Sequence, residues 1–229
     1  MKTEMISIQH LSKRYGGCLI LNDISQVFYG SSIYGLVGAN GCGKTTLMRC
    51  ICGLARPSSG TVLVLDRYIG KDCDFSPSTG VIIETPGFLP QMTGKQNLAL
   101  LAGMTRHTRK QRLDEVICLV GLDPSDKKTV AHYSLGMRQR LGIAQALLDD
   151  PQIIILDEPF NGLDQEGVTD IHRILQEQKS AGKCVILASH SAGDIEKACD
   201  MVFEIKNGRM QRRDSSMSRP KMSPTGMHG

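Results

Sequence analysis

A glycine-rich run between a predicted strand and a predicted helix constrains this chain more than any other feature of its sequence. The run fits the pattern G-x-x-x-x-G-K-[ST], follows the apolar strand Ile33–Val37 and leads into a helical stretch over Lys44–Cys52. Glycines let the backbone bend so that successive N–H groups face inward, and the helix N-terminus adds its positive end. We therefore predict a cradle for nucleotide phosphates, in which Lys44 reaches the β- and γ-phosphates and Thr45 ligates magnesium. The cradle consists of Gly38, Ala39, Asn40, Gly41, Cys42, Gly43, Lys44, Thr45 and Thr46.

Strand and helix patterns alternate along most of the chain, which predicts an α/β domain with a mainly parallel sheet. Between Glu84 and about Asp150, strand signals give way to amphipathic stretches such as Leu113–Val120 and Met137–Leu148. We interpret this as a helical lobe inserted into a single domain over residues 1–210. From about Gln211 the composition predicts a disordered tail over residues 211–229. The predicted strands are Met5–Ile8, Ile24–Phe28, Ile33–Val37, Thr61–Leu65, Gly80–Ile83, Ile153–Asp157, Val185–Ser189 and Met201–Ile205.

Composition and charge exclude several classes of protein. With 229 residues, 41% of them hydrophobic, the chain can bury a core, but its apolar runs fall far short of the roughly 20 residues that cross a bilayer. The N-terminus has no apolar segment typical of a secretory signal, so we expect a cytoplasmic protein. Eight cysteines without a pair of C-x-x-C motifs indicate reduced thiols. A net charge of +4 without a basic stripe gives no reason to expect a nucleic-acid partner.

A second candidate site follows the predicted strand Ile153–Asp157. Consecutive strand residues point in opposite directions, so the two acids at its end can do different jobs. We expect Asp157 to hold magnesium and Glu158 to orient or deprotonate the attacking water. The alternative is that these acids have no catalytic role and only mark an apolar strand that ends in a solvated turn. The cradle upstream favours the catalytic interpretation. His190 follows the strand that ends at Ser189. It is either a surface histidine or a group opposite Glu158 that contacts the γ-phosphate.

The order of these elements resembles the ABC ATPase family over about residues 2–210. Tyr15 matches the aromatic residue that stacks on adenine in that family, and residues 133–140, Tyr-Ser-Leu-Gly-Met-Arg-Gln-Arg, resemble its signature motif. Asn161–Asp164 resembles the D-loop, and His190 falls at the position of the switch histidine. The resemblance implies ATP and Mg²⁺ as cofactors, and an antiparallel β portion at the N-terminus. The implied residues are Lys44, Glu158 and His190 for catalysis, Thr45 and Asp157 for the metal, and Tyr15, Gly38, Asn40, Gly41, Cys42, Gly43, Lys44, Thr45 and Thr46 for ATP.

The family mechanism that the resemblance implies is a head-to-tail dimer around two ATP molecules. ATP in the cradle of one subunit is capped by the signature of the other, through Ser134, Gly136 and Met137, while Asp164 lies in the D-loop. Ser134 and the N–H of Gly136 stand at a predicted helix start, which is another site for anions. The dimer forms with a second copy or with another ABC ATPase. It then drives a separate transmembrane permease, which implies a peripheral position on the inner face of the cell membrane.

Three positions depart from the family pattern. Leu135 replaces a glycine of the signature, and Met137 replaces its glutamine. Glu84 stands at the Q-loop position, because it keeps the usual distance to Asn97. Variants of this kind resemble the subgroup that exports peptide antibiotics or confers immunity to them. We therefore expect export of a peptide antibiotic, a lantibiotic or a similar amphipathic substrate.

Two other functions are compatible with a phosphate cradle. One is a soluble ABC-type regulatory ATPase that acts on ribosomes or DNA. Translation factors of this kind usually carry two cassettes, and DNA-repair members carry a long coiled coil, and this sequence has neither feature. The other is a nucleotide kinase, which leaves the signature unexplained. Transport is the function that we favour.

Overall fold

The structure is a computed structural model that describes residues 2–104 and 110–213. Strands and helices alternate, and three helices lie together between the sixth and seventh strands. The strands in the described residues are β1 (Glu4–Tyr15), β2 (Cys18–Tyr29), β3 (Ser32–Val37), β4 (Ser59–Val64), β5 (Arg67–Tyr68), β6 (Thr79–Ile82), β7 (Ile153–Asp157), β8 (Cys184–Ala188), β9 (Met201–Lys206) and β10 (Arg209–Arg213). The helices there are α1 (Lys44–Cys52), α2 (Gly94–Met104), α3 (Lys110–Leu119), α4 (Leu135–Leu147), α5 (Gln165–Ser180) and α6 (Ala192–Ala198), with a 3₁₀ turn over Val130–His132.

Two sheets form the framework of the described residues. Four strands make an antiparallel sheet in the order β2-β1-β4-β5. The other six form a sheet in the order β10-β9-β3-β8-β7-β6, in which β10 runs antiparallel to β9 and the remaining pairs are parallel. The predicted antiparallel portion and mainly parallel sheet are therefore confirmed.

The three central strands β3, β8 and β7 are buried along their whole length. Parallel strands are covered on both faces, which is why their sequences read as continuous apolar runs. Their C-terminal ends are level, because Ala188 of β8 pairs with both Leu36 of β3 and Asp157 of β7. The segments that follow these strands meet at one edge of the sheet, where open α/β sheets bind their ligands.

Apolar clusters cover both faces of the six-stranded sheet. Alternate residues of a strand point to opposite faces, and accordingly Ile153 and Ile155 belong to one cluster while Ile154 and Leu156 belong to the other. The second cluster, called here the lobe cluster, joins the sheet to the helices between β6 and β7. Its buried members include Val37, Leu98, Val116, Leu141, Leu156 and Leu187.

The inserted helical lobe that the sequence predicts is confirmed by α2, α3, the 3₁₀ turn and α4 between β6 and β7. α4 begins at Leu135 and is capped by Ser134, in agreement with the helix start predicted at Ser134 and Gly136. None of the described helices has the length and apolar character that crossing a bilayer requires.

The predicted strands are present, but some bounds differ. β1 and β2 each run for 12 residues and pair as a long hairpin with several register shifts. These irregularities interrupt the alternation of apolar residues, so the sequence pattern indicated only Met5–Ile8 and Ile24–Phe28. The two-residue strand β5 is too short to leave a pattern.

The structure differs from the predicted tail at its first three residues. Gln211–Arg213 belong to β10, which pairs with β9. Asn207 and Gly208 connect these strands with φ values of 50° and 73°. Two successive residues with positive φ are what a tight hairpin turn requires, and Asn-Gly is its preferred sequence. The remainder of the predicted tail, residues 214–229, lies outside the described residues.

Candidate functional site

The cradle connects the end of β3 to the start of α1, and its glycines permit close packing. Gly43 precedes α1 with a φ of 113°, and a Cβ there would lie 2.7 Å from Cδ2 of Leu21. A Cβ on Gly38, with a φ of 151°, would lie 2.5 Å from the carbonyl oxygen of Ile205. Only glycine fits at these two positions. The first turn of α1 contains no acidic residue, so the positive end of the helix faces the loop uncompensated.

Lys44 is buried, which is unusual for a lysine, with 6% of its surface exposed. Its Nζ donates hydrogen bonds to the carbonyl oxygens of Gly38, at 2.7 Å, and Ala39, at 3.3 Å. The ammonium group therefore lies across the loop. A positive charge held there fits the binding of phosphate oxygens.

Thr45 and Asp157, the predicted magnesium ligands, are in contact. The Thr45 hydroxyl donates a 2.6 Å hydrogen bond to Oδ2 of Asp157. Burial raises the pKa of the Asp157 carboxyl and the charge of Glu158 raises it further, while the Thr45 hydrogen bond opposes them. A hydroxyl and a carboxylate are the oxygen ligands that Mg²⁺ takes in nucleotide sites. The two side chains thus fit a magnesium ion, whose charge would offset the cost of burying the carboxylate.

Glu158 follows β7 in a left-handed backbone conformation, with a φ of 50°. Such a conformation costs about 1–3 kcal/mol for a residue other than glycine and is concentrated at functional sites. The carboxylate accepts hydrogen bonds from the Ser189 hydroxyl, at 2.8 Å, and the His190 backbone N–H, at 2.9 Å. Nδ1 of His190 lies 2.8 Å from the same carboxylate. The structure therefore brings Glu158 and His190 together.

The two acids at the end of β7 point to different partners, but for a reason other than the one predicted. Asp157 is the last residue of the strand, and Glu158 lies outside it. The left-handed turn at Glu158, rather than the alternation of a strand, directs its carboxylate toward the segment that follows β8.

Glu84, at the predicted Q-loop position, follows β6 at the same edge of the sheet. It also has a left-handed backbone, with a φ of 63°. Its carboxylate accepts a 2.7 Å hydrogen bond from Nη2 of Arg49, on α1.

A cleft of about 770 Å³ separates the cradle from the start of α4. Its volume lies within the range of small-molecule sites. The cradle, Asp157, Glu158 and Glu84 all border this cleft. The cleft is lined by Asn40, Gly41, Gly43, Lys44, Thr45, Thr46, Glu84, Thr85, Pro86, Leu135, Arg138, Gln139, Asp157, Glu158, Asn161 and Gly162.

The signature residues predicted to contact the second subunit's ATP lie at the start of α4, and Asp164 of the predicted D-loop lies at the start of α5. Ser134 caps α4, and its hydroxyl oxygen accepts a 3.1 Å hydrogen bond from the N–H of Met137. Asp164 caps α5 in the same way, accepting from the N–H of Gly167 at 2.8 Å. Gly136 lies in the first turn of α4. The roles of these residues toward ATP stay predictions.

Tyr15 ends β1 and is 47% exposed. Nζ of Lys13 lies 4.6 Å from the centroid of its ring. A partly exposed ring offers a surface on which a base can stack. The contact with adenine stays a prediction.

Three residues at the site were not singled out as functional by sequence reasoning. Ser189 and Arg49 bind the carboxylates of Glu158 and Glu84, and Gln139 donates a 3.2 Å hydrogen bond from Nε2 to the carbonyl oxygen of Glu158. A polar residue at the end of a buried strand could have indicated Ser189. Arg49 and Gln139 bind partners 35 and 19 residues away, and no local pattern indicates such pairs.

Comparisons with known proteins agree with this geometry. Residues 21–161 match the family model described as ABC transporter. The chain is 38% identical to the uncharacterized ABC transporter ATP-binding protein YybJ of Bacillus subtilis, covering 90% of this chain and 95% of that protein. It is 37% identical to the bacitracin transport ATP-binding protein BcrA of Enterococcus faecalis, covering 90% and 68%. It is 34% identical to the lantibiotic transport ATP-binding protein SrtF of Streptococcus pyogenes, covering 90% and 89%.

A solved structure has the same fold. It is described as an ATP binding subunit of an ABC transporter, superposes with a TM-score of 0.80 at 28% identity, and the match covers 91% of this chain and 90% of that one. With the cradle and its neighbouring acids, these similarities show that the chain belongs to the ABC transporter family, as one of its ATP-binding ATPase subunits.

Proposed function

We propose that this subunit binds ATP with Mg²⁺, dimerises around two ATP molecules and drives a separate transmembrane permease that exports a peptide antibiotic or lantibiotic. The observation that carries the export proposal is the similarity to BcrA and SrtF over 90% of the chain. The departures at Glu84, Leu135 and Met137 support the same subgroup. The predicted domain of residues 1–210, which β10 extends to Arg213, acts as one unit whose helical lobe carries the signature.

The site residues divide the work of ATP hydrolysis in this proposal. Backbone N–H groups of the cradle and the start of α1 hold the phosphates, and the Lys44 ammonium binds the β- and γ-phosphate oxygens. Thr45 and Asp157 would hold Mg²⁺, which would supply positive charge to neutralise the phosphates. Glu158 accepts the proton of the attacking water, and Ser189 and His190 fix the direction of its carboxylate.

The signature of one subunit completes the site of the other. Ser134, Gly136 and Met137 cap the ATP held in the opposite cradle, and Asp164 lies beside the second subunit. The positive end of α4 contributes there, because its first turn contains no acidic residue. Dimerisation in this arrangement requires ATP, and hydrolysis allows the two subunits to separate.

The first experiment identifies the partner. The subunit is tagged in its own cells, the membranes are solubilised in mild detergent, and co-purifying proteins are identified by mass spectrometry. A multi-span protein without a cassette of its own, recovered in stoichiometric amount, supports the transport proposal. Ribosomal or nucleoid proteins without such a partner contradict transport and favour a regulatory ATPase.

The second experiment tests the substrate class. Cells with the wild-type subunit and cells with the Glu158→Gln variant, at matched expression, are exposed to bacitracin, a lantibiotic and an antibiotic that acts on ribosomes. We expect wild-type cells to survive higher concentrations of at least one peptide antibiotic than cells with the Glu158→Gln variant. With the antibiotic that acts on ribosomes, we expect the two kinds of cell to survive equally. Equal survival with every peptide contradicts the proposed substrate.

A further inference from the structure

The first turn of α4, which carries the signature residues, packs directly on the segment from Glu158 to Gly162 of the same chain. A Cβ on Gly136 would lie 2.8 Å from the carbonyl oxygen of Gly162. A Cβ on Gly162 would lie 2.4 Å from Cγ of Leu135. At Gly136 the two backbones are therefore as close as glycine allows, and the Leu135 side chain fills the space beside Gly162. A displacement of the signature turn must then move the segment that begins with Glu158.

Gln139, in the second turn of α4, extends this contact to Glu158 itself. Its Nε2 donates a 3.2 Å hydrogen bond to the Glu158 carbonyl oxygen, and its side chain lines the cleft. The N–H of Glu158 donates to the carbonyl oxygen of Ala188 at 2.8 Å. The peptide before Glu158 is thus fixed by β8, and the peptide after it by α4 together with the N–H of Asn161, which donates to the same carbonyl oxygen at 3.2 Å. Together these bonds hold the left-handed backbone that directs the carboxylate toward Ser189 and His190.

We propose that Gln139 is a positioning residue for Glu158, through which the signature turn of a subunit controls the catalytic carboxylate of that same subunit. The inference rests on the proposed function, in which the signature binds the ATP of the second subunit. Engagement of that ATP moves or fixes α4, and the Gln139 hydrogen bond transmits the position of α4 to Glu158. Each active site thereby responds to the nucleotide in the other.

The same contact gives Leu135 a role. This residue stands where the family signature has a glycine. Its side chain packs against Gly162 and borders the cleft. Leu135 adds a side-chain contact to the link between α4 and the catalytic segment. Its departure from the pattern therefore strengthens the connection within the subunit.

The test compares matched substitutions on α4 of the full chain. Gln139→Leu removes the donor, and Gln145→Leu makes the same chemical change six residues later on the helix, where Gln145 lines a different cleft near Pro151. We expect kcat to fall about tenfold for Gln139→Leu, because displacement of a catalytic group by less than 1 Å has effects of this size. ATP affinity should stay within about twofold, because the cradle is untouched. Gln145→Leu should leave both quantities unchanged.

A second variant separates positioning from folding. Gln139→Glu keeps the size of the side chain, but its ionised carboxylate cannot donate to the Glu158 carbonyl, whereas a protonated carboxyl can. The ratio of its kcat to that of the wild type should rise as the pH falls toward the pKa of the new carboxyl. A ratio that does not change with pH contradicts the proposal, as does a kcat for Gln139→Leu equal to that of Gln145→Leu. Parallel losses of kcat and ATP affinity also contradict it.

The wild-type chain separates this inference from the function on which it rests. If the wild type neither hydrolyses ATP nor dimerises with it, the proposed function fails. If the wild type does both and the Gln139 variants match it, only the positioning role fails.

Discussion

The guanidinium of Arg49 lies 2.7 Å from the carboxylate of Glu84, which links the helix that carries Lys44 and Thr45 to the acid that follows β6. Both side chains are partly exposed, at 38% and 63%. The acidic residue at the Q-loop position thus has a counter-charge from α1. The pKa of Asp157, raised mainly by burial, is raised also by the charge of Glu84.

The Arg49–Glu84 pair predicts a compensating double substitution. Arg49→Met should weaken MgATP affinity roughly two- to fivefold, the size expected for a partly exposed ion pair, because Glu84 then adds uncompensated negative charge beside the phosphates. Adding Glu84→Gln should restore the affinity. Titration with a fluorescent ATP analogue measures both. The control is Arg173→Met, which breaks the exposed pair with Glu177 on α5. No rescue by Glu84→Gln would show that Arg49 acts in another way.

Glu158→Gln is expected to trap an ATP-bound dimer. The amide keeps the shape of the side chain but cannot accept the proton of the attacking water, so the ATP that joins the subunits persists. Light scattering on a sizing column should report a doubled mass in ATP with Mg²⁺. The mass should return to that of a monomer for a variant that also carries Lys44→Ala. A monomer in saturating ATP would count against the catalytic role of Glu158 or against the dimer.

Replacing Asp157 should stabilise the protein while it abolishes turnover. Burial raises the pKa of Asp157 above its value in the unfolded chain, so its ionised form costs stability above the folded pKa. Asp157→Asn should therefore raise the Tm at pH 7 without Mg²⁺, by about 2–4 °C for each kcal/mol of cost removed. The gain should shrink as the pH falls through the folded pKa. Scanning calorimetry at several pH values measures it, and a lower Tm at pH 7 would contradict the prediction.

Asp150 is a control, because its substitution should shift the Tm in the opposite direction to that of Asp157. A hydrogen bond from Lys183 lowers the pKa of Asp150, so its ionised form stabilises the fold above the unfolded pKa. Asp150→Asn should lower the Tm at pH 7. The difference from the wild type should vanish as the pH falls through the folded pKa. The effect should be small, because Asp150 is 73% exposed.

Cys42 reports on occupation of the cradle. It lies between two glycines of the loop and is partly exposed, so MgATP should slow its alkylation. Cys118 is exposed on α3 and should react at the same rate with and without the nucleotide. Burial raises the pKa of Cys184 to about 12, so this thiol should stay unmodified at pH 8. Mass spectrometry measures each site. Protection of Cys42 that persists in Lys44→Ala would contradict the role of Lys44 in binding ATP, and no protection in the wild type would mean that ATP binds elsewhere.

The sequence predicted those parts of the site whose signals are local. The cradle and α1 are contiguous, and α1 occupies Lys44–Cys52 as predicted. The two acids at the end of β7 directly follow an apolar run, which is a clear local signal of a buried strand. The hairpin at Asn207 and Gly208 was missed although its turn residues are a local signal, because the polar residues of β10 read as a tail.

The contacts that orient the catalytic groups were outside the reach of pattern analysis. The bond from Gln139 to Glu158 depends on how the inserted helices dock on the sheet, and the left-handed backbone of Glu158 depends on the neighbouring strand. Periodicity gives the buried face of a helix but not the polar atom that a side chain meets. Such pairs emerge only from the packed fold.

The lobe cluster has a consequence for truncation and melting. Because Leu98, Val116 and Leu141 of the inserted helices share one apolar interior with Val37, Leu156 and Leu187 of the sheet, the helices have no core of their own when cut from the sheet, and the sheet keeps only the cluster on its other face. A fragment limited to residues 84–150 would expose that surface to water and aggregate or stay unfolded. Calorimetry of the whole chain should accordingly record one cooperative transition. Any movement of the helices during the ATP cycle must be a sliding motion that keeps the shared apolar surface out of water.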